Sequence, residues 1–272
     1  MKIILFYLYI FDFLFHQPSV PFVKMIKWFL AALVLSIAES GKIRPQLPSY
    51  IKVCHRSDPN LNDCVRESVE RIRPYLSQGI PELEIPGCEP LVLPEIVMNQ
   101  GKGSIMVQSK YKGMQIYGPS QFKLRSVKVD IEKNKVKIKL FLPRLEMIGN
   151  YSIQGRIMML PIAGHGVSTG NYTDIEATAV MQGEKYEKDG ETYLNVKELH
   201  TDFTIGHASV HLSNLFEGDK QLGDSMNEFL NDNWKSLAEE IKPILEKTIS
   251  DLFKKFSNKI YQKYPLDVLL PP

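Results

Sequence analysis

The 40 residues from Ser225 to Tyr264 contain no glycine, and their only interior proline is Pro243. Apolar residues return at Met226, Phe229, Leu230, Trp234, Leu237, Ile241, Leu245, Ile249, Leu252, Phe256 and Ile260. The gaps are threes, fours and ones, the spacing of one stripe along an α-helix. Lys235 and Glu239, Lys242 and Glu246, and Asp251 and Lys255 add i,i+4 pairs of opposite sign. Ser225 and Glu228 have the spacing of a capping box, and Pro265 marks the expected end. The segment predicts one helix roughly 60 Å long at about 1.5 Å per residue. Its stripe nearly repeats every eleven residues, as in Leu230, Ile241 and Leu252 or Trp234, Leu245 and Phe256. That period makes the apolar seam drift slowly round the helix, opposite to the drift of a left-handed coiled coil. Such a seam suits a curved partner that wraps the helix.

The chain upstream supplies a partner of that kind. From about 101 to 216 the apolar period changes to two. Val127, Val129 and Ile131 alternate with Lys128 and Asp130, and Val136, Ile138 and Leu140 alternate with Lys135, Lys137 and Lys139. Tyr151, Ile153 and Ile157 continue the pattern, followed by Ile175, Ala177, Ala179 and Met181 and a hairpin turn at Glu187-Lys188-Asp189-Gly190. One dry face and one wet face mean an antiparallel meander rather than a parallel α/β sheet. The fold class is therefore α+β: a long C-terminal α-helix wrapped by a strongly curved antiparallel sheet.

The N-terminal residues have a different character. Met1 to Phe15 is almost wholly apolar but broken by Asp12, and residues 1–24 read as an upstream extension. Met25 begins a second start: Lys27, the apolar run Trp28–Ile37, then Ala38-Glu39-Ser40 before Gly41. Residues 25–40 thus read as a secretory signal, and 41–272 as a single exported domain. The whole chain has 33 basic and 31 acidic residues; the first 40 hold three lysines and two acids, leaving 30 against 29. This near-neutral balance gives no reason to expect nucleic acid or an anionic membrane surface as the main partner. Nor is stable membrane insertion expected.

Cys54 and Cys64 bracket a polar turn that leads into an amphipathic segment ending at Leu76, a short N-terminal helix. In an exported chain they read as a short-loop disulfide worth about 3 kcal/mol on the loop-entropy account. Cys88 is left over and reads as a small buried hydrophobe. Three cysteines with no histidine at ligand spacing form no zinc site, and no cofactor motif is present.

Gly166-Val167-Ser168-Thr169-Gly170 matches the esterase nucleophile elbow, which must close a strand and open a helix. A period-two strand follows here instead, so Ser168 carries only an alternative reading as a lipid esterase. His207 and His211 are four apart in an alternating stretch, about 13 Å along a strand, too far for a metal pair. Asn150-Tyr151-Ser152 and Asn171-Tyr172-Thr173 are N-glycosylation sequons. Large apolar side chains on both helix and sheet leave two possibilities between them, a filled core or an elongated apolar cavity.

Several motifs in order resemble the insect takeout and haemolymph juvenile-hormone-binding family. They are Cys54-His-Arg-Ser-Asp-Pro-Asn-Leu-Asn-Asp-Cys64, Gly79-Ile-Pro-Glu-Leu83, Glu89-Pro-Leu91, Asn214-Leu-Phe-Glu-Gly-Asp-Lys-Gln-Leu-Gly223, and Asn233-Trp234 with Pro243. The resemblance runs from about Ser49 to Pro272. It implies a fold related to tubular lipid-binding domains and a secreted, non-enzymatic carrier with an internal hydrophobic tunnel. Cys54 and Cys64 correspond to the family's N-terminal disulfide. A second disulfide of the hormone-binding moth proteins has no cysteines here, which points to a broader range of terpenoids and fatty acyl chains.

The expected lining from the helix is Trp234, Leu237, Ile241, Leu245, Ile249, Leu252 and Phe256. From the strands it is Val136, Ile138, Leu140, Ile153 and Ile157. Tyr151 or Tyr172 is placed to bond a ligand's polar end. Beside the carrier reading stand the Ser168 esterase and a protein without a cavity that acts through its surface. An unidentified receptor is a further expected partner.

Overall fold

The computed structural model describes residues 46–272. The expected upstream extension at 1–24 and signal at 25–40 lie outside the described residues. Pro45–Pro272 forms one compact unit.

A helix, α1 (Leu61–Leu76), follows the disulfide loop, as its amphipathic pattern predicts. A two-stranded ribbon comes next, β1 (Gly79–Ile80) with β2 (Ile85–Pro86). The seven-stranded antiparallel sheet then forms from β3 (Leu91–Lys102), β4 (Ile105–Tyr117), β5 (Lys123–Asp130), β6 (Lys135–Ile157), β7 (Leu160–Lys188), β8 (Glu191–Thr204) and β9 (His207–Leu212). Its spine is the pair β6–β7, 23 and 29 residues long. Each spine strand serves two neighbours. β6 pairs with β5 through its first half and β4 through its second, while β7 pairs with β9 and then β8. A 29-residue strand would span about 95 Å if straight, so the sheet must coil and curve to stay on one core.

The curvature has a visible hinge. Leu142 pairs with Ile175 and Arg144 with Thr173, which sets Pro143 opposite Asp174. Asp174 has φ +53°, and across this point the inward positions of β6 change from even (136, 138, 140, 142) to odd (145, 147, 149, 151, 153). Here β7 also exchanges its neighbour, with Gly206 between β8 and β9 donating its N–H to the carbonyls of Thr173 and Asp174.

The sheet begins ten residues before the expected position 101. The missed strand, β3, opens Leu-Val-Leu-Pro without alternation, and proline is tolerated there because β3 is an edge strand.

The C-terminal helix also differs from expectation. It is two helices, α2 (Lys220–Asp232) and α3 (Trp234–Lys263), parted at Asn233, whose φ −105° and ψ 12° leave the helical region. Asn231, Asp232 and Asn233 are poor helix formers in a row, and two of the three spend their amides on backbone groups. The start lies earlier than Ser225. Asp219 is the N-cap, its carboxylate accepting from Leu222 N–H at 3.0 Å, so the Ser225–Glu228 pair sits inside α2 and caps nothing. The end is as expected, at Tyr264 before Pro265. A last turn, α4 (Leu266–Leu269), brings the C-terminus back to the disulfide loop, where Arg56 N–H donates to Pro271 C=O at 2.7 Å.

Candidate functional site

The site is built where α3 lies over the sheet. Side chains on the two strand halves beneath it fall into cross-strand rows. Leu124, Leu140, Ala177 and Phe203 form one; Val127, Ile138, Ala179 and Thr201 the next; Val129, Val136, Met181 and Leu199 the third. Thr201 fixes which face this is. Its hydroxyl donates to Glu246 C=O at 3.0 Å, and its N–H donates to Ser250 Oγ at 2.9 Å, both on α3.

Packing along α3 is uneven. At its N-terminal end Leu237 and Ile241 pack on a fully buried cluster that includes Ile105, Val107, Ile153, Ile157, Ile162 and Leu212. At its C-terminal end Ile260 packs on a second cluster of Ile80, Leu83 and Tyr264. Leu237, Ile241 and Ile260 are themselves half-buried, and between them no apolar side chain of α3 joins a fully buried cluster. Leu245, Ile249, Leu252 and Phe256 are half-buried, and so are Val136, Ile138 and Leu140 on the sheet opposite. The one fully buried residue of this 30-residue helix is Ser250. The middle of α3 is thus flanked by packed clusters at both ends, and its own leucines and isoleucines are only half-buried.

Three tyrosines share a related property. Burial pushes the Tyr172 hydroxyl up to about 12, with the neighbouring Tyr111 adding to the effect, and burial likewise raises Tyr111 and Tyr261. Yet all three side chains are only half-buried. Gly170 makes room for Tyr172: a Cβ there would lie 2.9 Å from its ring and hydroxyl. Tyr151, the other expected polar group, is fully buried and spends its hydroxyl on Ser213 C=O at 2.7 Å. Tyr172 Oη has no such partner among the described residues.

The twelve expected lining residues therefore divide. Ile153 and Ile157 are fully buried in the N-terminal-end cluster, Leu237 and Ile241 pack against it, and Trp234 meets His207 edge-on at 5.5 Å. The remaining seven are half-buried, four on α3 and three on the inward face of β6. A separate open groove of about 780 Å³ lies elsewhere. Its walls are Val97, Lys110, Ser152 and His165 in one cross-strand row and Asn99, Gln108, Gln154 and Ala163 in the next. These positions alternate with Tyr151 and Ile153, so the groove is on the sheet's outer face. Ile153 is the one expected lining residue that borders it.

Ser168 lies inside β7, paired with Gly149 and Leu212, with strand rather than helix after it. The adjacent His165 and His211 (the latter opposite Thr169) occupy the alternate face. The elbow context is absent, and neither histidine shares the face of this hydroxyl. His207 and His211 lie on β9, and no cluster able to hold a metal occurs among the described residues. Cys54 and Cys64 form the expected disulfide, with Cα atoms 5.9 Å apart, and Cys88 is free and half-buried. Among the described residues no helix is long and apolar enough to cross a membrane.

Sequence reasoning missed the groups that hold the helix in place. Asn227 accepts from Leu212 N–H at 2.8 Å and donates to Leu212 C=O at 3.0 Å, and Asn231 does the same at Val210. Read as polar interruptions of an apolar stripe, they give no sign of this work. The available signal was their i,i+4 spacing on the face that carries the stripe.

With this geometry in hand, the relatives are informative. The family described as haemolymph juvenile hormone binding protein (JHBP) matches residues 29–271. The circadian clock-controlled protein daywake of Drosophila melanogaster is 26% identical over 228 residues, covering 81% of this chain and 86% of its own length. The putative beta-carotene-binding protein of Schistocerca gregaria is 22% identical over 224 residues, covering 81% and 88%. Among solved structures, Takeout 1 of Epiphyas postvittana superposes with a TM-score of 0.70 at 25% identity, covering 82% of this chain and all of that one.

Proposed function

Because the chain belongs to the haemolymph juvenile hormone binding protein family, we propose that it is a secreted carrier that buries one small apolar molecule in an internal tunnel between α3 and the sheet. The observation that carries this reading is the half-packed middle of α3, closed at both ends by fully buried clusters. The three tyrosines support it. A hydroxyl desolvated by its surroundings on a side chain that keeps accessible surface is what the wall of an enclosed space presents.

In this reading Leu245, Ile249, Leu252 and Phe256 from the helix and Val136, Ile138 and Leu140 from the sheet line the tunnel. Ile153 and Ile157 plug one end. Ala177 and Ala179 keep its floor low, and Tyr111 and Tyr172 offer hydroxyls to a polar end of the ligand. A long terpenoid or fatty acyl chain fits these walls. Transfer of apolar surface supplies the affinity at about 0.8 kcal/mol per buried CH₂, so ten methylenes need no reactive group. The isoprenoid named for the Schistocerca relative is of the same chemical class.

The test uses Trp234, the only tryptophan from residue 41 onward. Delipidated protein titrated with a polyene fatty acid should quench Trp234 fluorescence and saturate near one ligand per chain. Linear, unsaturable quenching would overturn the proposal.

A further inference from the structure

The outer face of β5 and the first half of β6 collects cations without partners. Val127, Val129, Val136, Ile138 and Leu140 point inward, so the alternate positions point out. Those positions carry Lys123, Lys128, Lys135, Lys137 and Lys139. Lys128 stands directly opposite Lys137 and Lys139 opposite Ser126, with Lys135 opposite Asp130 at the end of the row. Side chains directly opposite are about 5 Å apart at Cβ, so each ammonium sits well inside the Debye length of its neighbour.

Two of the nearby opposite charges are engaged elsewhere. Asp130 pairs with Lys133 at 3.8 Å, and Glu176 pairs with Arg125 at 3.4 Å. None of the five lysines has an ion pair among the described residues. Like charges directly opposite in an antiparallel pair destabilise it, and among the described residues no ion pair to these lysines offsets the cost. The near-neutral total charge hides this local stripe.

Its shape limits what could cover it. Asp130 and Glu132 close one end, and Glu176 and Glu198 border the β7–β8 side. A flat anionic surface would press those acids against its own charge, whereas a narrow chain laid along β6 would miss them. The stripe contributes no exposed large apolar side chain to enter a bilayer. Its one aromatic, Phe141, lies under the Arg125 guanidinium at 4.9 Å and offers no free face for stacking a base.

We propose that this stripe is a docking surface for a linear sulfated polysaccharide, which would hold the protein at an extracellular surface. The site is distinct from the apolar interior and does not depend on the ligand reading.

The experiment is binding of the mature chain from Gly41 to heparin, measured across a salt series. Wild-type protein should bind, and K128Q/K137Q/K139Q should lose about tenfold or more while the salt slope falls by about 2 to 3. Replacing Lys220, Lys235 and Lys255, exposed on the two helices, should leave binding unchanged and controls for bulk charge. Lys137→Glu, which converts the facing repulsion into attraction, should weaken heparin binding while raising the melting temperature. Equal losses in both triple variants, no heparin binding by wild type, or binding only to vesicles containing anionic lipid would each overturn the proposal.

Discussion

Asn258 of α3 holds Val196 of β8 from both sides: its Oδ1 accepts from Val196 N–H at 2.7 Å, and its Nδ2 donates to Val196 C=O at 3.2 Å. An amide side chain here takes the place of the next strand. Asn227 and Asn231 do the same for Leu212 and Val210 on β9, so the helices close the free edge formed by β8 and β9. An uncovered edge is a template for aggregation. Val196 is fully buried beside a bulge at Lys197, whose carbonyl accepts from Lys254 Nζ at 2.6 Å. Asn258→Ala leaves the Val196 N–H and C=O without partners and should cost about 1–3 kcal/mol. Urea denaturation measures it; an unchanged midpoint would mean that water replaces the amide.

Ala179 tests whether the space under the helix is filled. It sits in the row between Ile138 and Thr201, whose N–H donates to Ser250 Oγ on α3. In a packed core Ala179→Leu would cost about 1–3 kcal/mol by overpacking. Over a tunnel it should leave the melting temperature nearly unchanged while ligand uptake falls several-fold. Thermal melts and polyene titration of the same variant separate the two.

Glu240 ties α3 to the β3–β4 turn. The Ser104 hydroxyl and then the Ile105 N–H, at 2.9 Å, hold its carboxyl below the ordinary 4.5. Gly103 at φ +80° lets the turn approach, since a Cβ there would lie 2.2 Å from Glu240 Oε1. A depressed folded value means that the contribution is complete above 4.5 and is lost as pH falls through the lower folded value. Melting temperature should therefore decline more steeply below pH 4.5 in wild type than in Glu240→Gln. Parallel curves would show that the latch carries no weight.

Cys88 should be inert despite being free. Burial, helped by Glu89, pushes its thiol from 9.0 up to about 11, which leaves about a hundredfold less thiolate near neutral pH. Alkylation of folded protein at pH 8 should be far slower than in denaturant. Equal rates would place the thiol in open solvent.

The fold was legible wherever one physical signal acted alone. Period-two runs such as Val127–Asp130 and Val136–Leu140 became strands with the inward faces expected, Ile131 falling in the turn between them, and Asp189-Gly190 became the tight turn between β7 and β8. Sequence reasoning failed where two signals competed. Ser225 and Glu228 looked like a capping box, yet Asp219 starts the helix before them. The stripe ran on through Asn233, yet three weak helix formers end α2 there. Pro143 and Asp174 shift the inward phase of both spine strands, a pairing visible only once β6 and β7 are set side by side. The candidate site was legible as apolar surplus, but its division into packed ends and a half-packed middle depends on which rows lie under which turns of α3. No residue pattern states that.

The carrier claim is tested most directly by native mass spectrometry of the chain from Gly41, secreted from insect cells, followed by organic extraction. The account predicts an apolar molecule retained at about one per chain and released on denaturation. A clean unliganded mass, with no uptake from a panel of terpenoids and fatty acids, would contradict it.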